Sequence, residues 1–275
     1  MTQRSRTMIL IAAGAMVDVA CTSNNFIGSQ SGPPDWQPVW SESFDGPAGS
    51  APDPARWNVI DGVVAWNGEL QYYTPRAMNI ELDGSGKLAI HLLRDSAFAG
   101  YDYTSGRVTT EGHFTQTYGR FEASIRMARG QAVWPAFWML GDNCDVSIWP
   151  SCGGIDIAEA YGQQPTAVLA GIHAPGYPDT ELVRSYVLGG APLLSDDFHG
   201  YAVEWEPDEI RWYVDDVLWR TQRRADLPAG AAWPFDHPFF MILDLAIGGR
   251  YVGPPDAGTI LPQTMLVDYV RVLER

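Results

Sequence analysis

The sequence predicts an all-β protein, a two-sheet sandwich of jelly-roll type, on three observations. Hydrophobic residues recur with a period of two: in "FEASIRM", Phe121, Ala123, Ile125 and Met127 fall on one face and Glu122, Ser124 and Arg126 on the other. Twenty-eight glycines and 20 prolines punctuate these runs, which suits many short strands joined by turns. No convincing amphipathic helix follows the first 20 residues, and such a set of strands closes most readily as a sandwich.

In chain order, the first element is an export leader, residues 1–20. Arg4 and Arg6 precede the apolar run "MILIAAGAMV", which is too short to span a bilayer, and small residues follow. "VDVAC" resembles a bacterial lipoprotein box, with Cys21 as the lipidated residue and a membrane anchor. Residues 21–38, rich in Ser, Gly and Pro, read as a flexible tether. Residues 39–275 read as one domain, because no repeat or low-complexity block divides them. Within it, "YAVEWE" is a strand ended by Pro207-Asp208, and "EIRWYVDDVLW" is a hairpin turning at Asp215-Asp216. Nothing in the chain asks for a second copy, and a monomer is expected.

A net charge of −15 disfavours nucleic acid, which needs clustered Lys and Arg. The 11 Trp and 12 Tyr serve either a rich core or stacking against sugar faces. In "CDVSIWPSC", Cys144 and Cys152 have no further Cys or His nearby to complete a metal set, so in an exported protein a disulfide is expected.

The chemistry concentrates in "WPSCGGIDIAEAYG". On a regular strand residue 154 and Asp156 share a face while Glu159 points away; a β-bulge at Ile157-Ala158 would return Glu159 to them. The alternative is a pair of acids on a solvated face. Trp134 and Trp138 in "WPAFW" share a face, which serves a sugar cleft or the core equally well. His173 in "GIHAPG", taken by itself, is as compatible with an ordinary hydrogen-bonded histidine.

A resemblance sharpens these readings. "WSESFDG", "NGELQYYT", "YTSGRVTTEGHFTQTYGRFEASIRM", "WPAFWMLGDN", "GIHAPGY", "DDFHGYAVEWEPDEIRWYVDD", "FDHPFFMILDLAIGG" and "LPQTMLVDYVRV" resemble, in order, the laminarinase-like branch of glycoside hydrolase family 16. The resemblance implies a concanavalin A-like jelly roll with an open cleft, no required cofactor, and retaining endo-cleavage of β-1,3-glucan or mixed-linkage β-glucan outside the cell. It makes Glu159 the general acid/base and Asp156 the residue that tunes the pair. It places Trp134, Trp138, Arg107, Asn67, His173 and Asp244 along the substrate. It also implies a structural calcium near the chain ends, with Asp268 and the loop Glu42–Gly46 as candidate ligands.

The signature E-[ILV]-D-[IV]-x-E is broken at its first position, where the nucleophile belongs, by Gly154. Asp244 and Tyr251 also stand where relatives carry Asn and Trp, and Gly68 replaces a common Asn. Three functions follow: a hydrolytically impaired glucanase, a cell-surface β-glucan-binding protein, and a glycosynthase-like or transglycosylating protein. The last expects a notch at Gly154 wide enough for a small anion. Loss of the neighbouring charge further predicts a Glu159 pKa lower than in an active relative, and an acid mostly ionised at neutral pH.

Overall fold

The computed structural model describes residues 36–178, 181–190 and 193–275. The leader, Cys21 and the tether up to residue 35 lie outside the described residues. Seventeen strands, numbered β1 to β17 in chain order, form two sheets among them. The seven-stranded sheet runs β12 (Glu181–Val187), β11 (Ala167–His173), β10 (Gly154–Glu159), β9 (Val133–Gly141), β16 (Phe239–Ile247), β7 (Arg107–Thr109) and β2 (Asn58–Val59). The ten-stranded sheet runs β15 (Val217–Arg223), β14 (Glu209–Val214), β13 (His199–Glu206), β8 (Gly119–Arg126), β17 (Gln263–Glu274), β5 (Leu88–Arg94), β6 (Tyr103–Ser105) and β3 (Gln71–Tyr73). On this sheet β1 (Gln37–Glu42) pairs with β17 and β4 (Ile80–Leu82) with β5. Every pairing is antiparallel except β3 with β6. The strand order is the expected jelly-roll sandwich.

The alternation holds where it was read. Phe121, Ala123 and Ile125 are fully buried on the core side of β8, packed in one cluster with Trp205, Trp212, Phe137, Met139, Ile155 and Leu243. At about 1.5–3 kcal/mol for each large apolar side chain withdrawn from water, this layer is the main stabilising term. The hairpin β14–β15 turns at Asp215 and Asp216, both in the left-handed region (φ 49° and 61°), as a two-residue turn between twisted strands requires. β16 is buried along its whole length: Met241, Leu243 and Leu245 enter the core, whereas Ile242, Asp244 and Ala246 face the other way.

One expectation needs correction. The domain begins earlier than residue 39: Trp36 is buried, and β1 pairs Gln37 with Glu274, so the end of the supposed tether is sheet. Asp268, the candidate calcium ligand, has its Oδ1 paired with Lys87 Nζ at 2.7 Å. In the same region Glu42 Oε1 accepts the backbone N–H groups of Ser43 and Phe44. Among the described residues no group of three or more His, Cys, Asp or Glu side chains is disposed to hold a metal ion.

The expected disulfide joins Cys144 to Cys152 across the loop between β9 and β10, Cα–Cα 5.1 Å with a sequence separation of 8. Closing so short a loop removes little denatured-state entropy. Replacing both cysteines by serine should therefore lower unfolding stability by about 2 kcal/mol, read from urea denaturation.

Candidate active site

The site is built on an irregularity in β10. Against β9, Gly154, Ile155 and Asp156 pair with Leu140, Met139 and Trp138, after which the register slips so that Ala158 and Glu159 oppose Phe137 and Ala136. Against β11 the same slip takes Asp156 opposite Gly171 to Glu159 opposite Leu169. This is the expected bulge. Ile157 and Ala158 both enter the core, and Asp156 and Glu159 both reach the cleft. A bulge breaks the ladder locally. From the other sheet, the Trp212 indole N–H crosses the core and donates to the Asp156 carbonyl at 2.8 Å.

The cleft above has a volume of about 280 Å³. At one end Trp66 and Trp149 lie nearly parallel, with centroids 6.2 Å apart, and Trp66 meets Trp138 edge-on at 6.0 Å. Beneath them Asp244 is a hub. Its Oδ2 accepts from the Tyr73 hydroxyl at 2.8 Å and from Arg107 Nη1 at 3.3 Å, and its Oδ1 from Trp138 Nε1 at 3.1 Å. Asp244 and Arg107 are both almost wholly buried, so each charge is compensated by the other. The Arg107 guanidinium also lies 5.2 Å from the Trp138 ring centroid. The Asn67 side-chain amide donates to Glu69 Oε1 at 3.2 Å, and the Asn67 backbone carbonyl accepts the Arg250 backbone N–H. Trp134 lines the opposite part of the cleft, edge-on to Tyr161 and Tyr251.

Between these ends stand the carboxylates. Asp156 Oδ2 is 2.6 Å from His173 Nε2, and Glu181 Oε2 is 3.9 Å from His173 Nδ1. Burial works against a charge on His173, but the two carboxylates outweigh it and raise its pKa, which favours the charged form beside Asp156. Glu159 keeps partial contact with the cleft. Its pKa is nonetheless pushed well above the usual carboxylate range, first by the protein crowding it out of water and then by Asp156, Asp244 and Glu181. The Trp134 indole N–H opposes this, although it forms no hydrogen bond of standard geometry. Three other carboxylates thus raise the Glu159 pKa even without the missing one.

Gly154 lies on the strand with an ordinary backbone, whereas Gly153 before it needs φ +74°. A Cβ on residue 154 would stand 3.0 Å from the six-membered ring of Trp149 and 3.5 Å from His173 Cδ2. The first distance is inside normal van der Waals contact. The anticipated notch is therefore narrowed by the Trp149 ring edge, which must shift by a few tenths of an ångström to admit a side chain.

All the anticipated cleft residues, Trp134, Trp138, Arg107, Asn67, His173, Asp244, Asp156 and Glu159, meet on this one surface. Sequence reasoning missed Trp66, Glu69, Trp149 and Glu181. Trp66 and Trp149 stand on loops outside any alternating run, and Glu181 begins an edge strand whose facing no local pattern sets.

Because folding raises the Glu159 pKa, the native state retains a proton that the unfolded chain releases, and stability falls as pH rises through that interval. Glu159→Gln should consequently stabilise the fold more at about pH 8 than at about pH 4, as seen in thermal melts at the two values.

Comparison with known proteins agrees with this geometry. The family model described as glycosyl hydrolases family 16 matches residues 63–258. A β-glucanase of Rhodothermus marinus is 40% identical over 252 residues, spanning 87% of this chain and 85% of that protein. The laminarinase catalytic domain of Thermotoga maritima superposes with a TM-score of 0.81 at 42% identity, covering 88% of this chain and 99% of that one. A β-1,3-glucan-binding protein of Penaeus monodon is 34% identical over 178 residues, 56% of this chain and 49% of that protein. With its two sheets, its bulged strand and its aromatic cleft, this chain belongs to glycosyl hydrolases family 16.

Proposed function

We propose that the chain binds β-1,3-glucan along this cleft and that its retaining hydrolysis is disabled at Gly154. Retaining chemistry uses two carboxyls roughly 5–5.5 Å apart, one to attack the anomeric carbon and one to protonate the leaving oxygen. Glu159 suits the second role, since burial and the neighbouring carboxylates raise its pKa and favour the protonated form. The first role has no occupant. Asp156, two positions along the strand, is engaged by His173 and cannot serve as a free nucleophile.

The observation that carries the reading is the pairing of Gly154 with the Trp149 ring edge. The attacking group is missing, and its space is bordered by an indole that gives sugar rings a stacking surface. Trp66, Trp138 and Trp149 with Arg107 and Asn67 retain what binding requires. The likeness to laminarinases and to a β-1,3-glucan-binding protein supports β-1,3-glucan as ligand. The glycosynthase-like alternative is less favoured, because it needs an ionised Glu159 as base and a wider space below the sugar than Trp149 leaves. The leader and Cys21 extend the reading to a protein held outside the cell, with Cys21 as a lipid anchor at the bacterial surface.

Gly154→Glu tests this directly, since the strand backbone admits a side chain and Trp149 stands on an accessible loop. Reducing-sugar release from laminarin should rise by about three orders of magnitude or more over the unaltered protein. Equal rates in the two proteins would contradict the role assigned to residue 154.

A further inference from the structure

Glu181 opens β12 at the edge of the seven-stranded sheet, and Tyr251 lies in the loop after β16, so β11, β10 and β9 stand between their parent strands. Their side chains nevertheless meet. The Tyr251 hydroxyl donates to Glu181 Oε2 at 3.0 Å. Each end is braced: the Tyr251 ring stands edge-on to Trp134 with centroids 5.4 Å apart, and the Glu181 carboxylate lies beside His173 Nδ1. Both residues line the cleft, and Glu159 interacts electrostatically with each of them. The contact therefore passes over the strand that carries the acid, from one wall of the cleft to the other.

We propose that Tyr251 and Glu181 form a latch across the cleft beside Glu159, and that this latch selects which glucan chains the cleft accepts. With the hydrogen bond closed, a short oligosaccharide or a chain end seats against Trp66, Trp138 and Trp149 without passing beneath it. The interior of a long chain must continue past Glu159, and for that the bond has to open. A hydrogen bond to a carboxylate, part-buried as this one is, opposes opening enough to shift an equilibrium about five- to tenfold. A tyrosine is needed for this, since the hydroxyl at the ring's far edge reaches the opposite wall.

The inference rests on the β-1,3-glucan reading, and the test separates the two. Tyr251→Phe removes only the hydroxyl and keeps the ring against Trp134. Calorimetric titration of the unaltered protein and of Tyr251→Phe, each with laminaritriose and with a long soluble β-1,3-glucan, reads the effect. The latch predicts that Tyr251→Phe binds the long glucan about five- to tenfold more tightly while its affinity for laminaritriose is unchanged. The unchanged triose affinity also reports an intact cleft. If neither affinity changes, or if both fall together because the hydroxyl contacts sugar directly, the latch is overturned and glucan binding stands. If neither protein binds either ligand, the glucan reading itself fails, and the latch with it.

Discussion

The site depends on one extra residue in β10. Without the bulge at Ile157-Ala158, regular alternation would turn Glu159 into the core beside Phe137 and present Ala158 to the sugar. A buried, unpaired carboxylate there would cost several kcal/mol. The bulge is held from both sides. Its two apolar residues sit in the core, and Trp212 reaches from the opposite sheet to bond the Asp156 carbonyl. Packing between the sheets is thereby tied to the placement of Asp156, and through Asp156 to His173.

What the bulge gathers is strongly acidic, and the neighbours decide what each acid can do. Asp244 is neutralised by Arg107 and by two further donors, so it organises the wall under the tryptophans. Asp156 is hydrogen-bonded to His173. Glu159 has no such partner among the described residues, and burial with the surrounding charge raises its pKa. These are the preconditions for protonating a leaving group, and they persist although the attacking group is gone. Stacking and hydrogen bonding to sugar require no nucleophile, which is why binding and cleavage can separate at a single position.

Much of this was legible in the sequence because it is local. Period-two alternation placed Phe121, Ala123 and Ile125 inside, paired aspartates marked the β14–β15 turn, and the spacing of Asp156 and Glu159 required a bulge once a shared face was assumed. The cysteine pair followed from the absence of other ligands. What escaped was set by tertiary curvature. Trp66 and Trp149 come from separate loops yet stack on each other, and Glu181 comes from an edge strand yet reaches Tyr251.

The central claim is that this cleft holds β-1,3-glucan without cutting it, and a single-turnover measurement addresses it most directly. The unaltered protein, held with an equimolar amount of laminarihexaose, is sampled by native mass spectrometry for the complex and by denaturing mass spectrometry for the length of the sugar. The account predicts a 1:1 complex whose hexaose stays intact. Conversion of the bound hexaose to shorter oligosaccharides, abolished by Glu159→Gln, would contradict it.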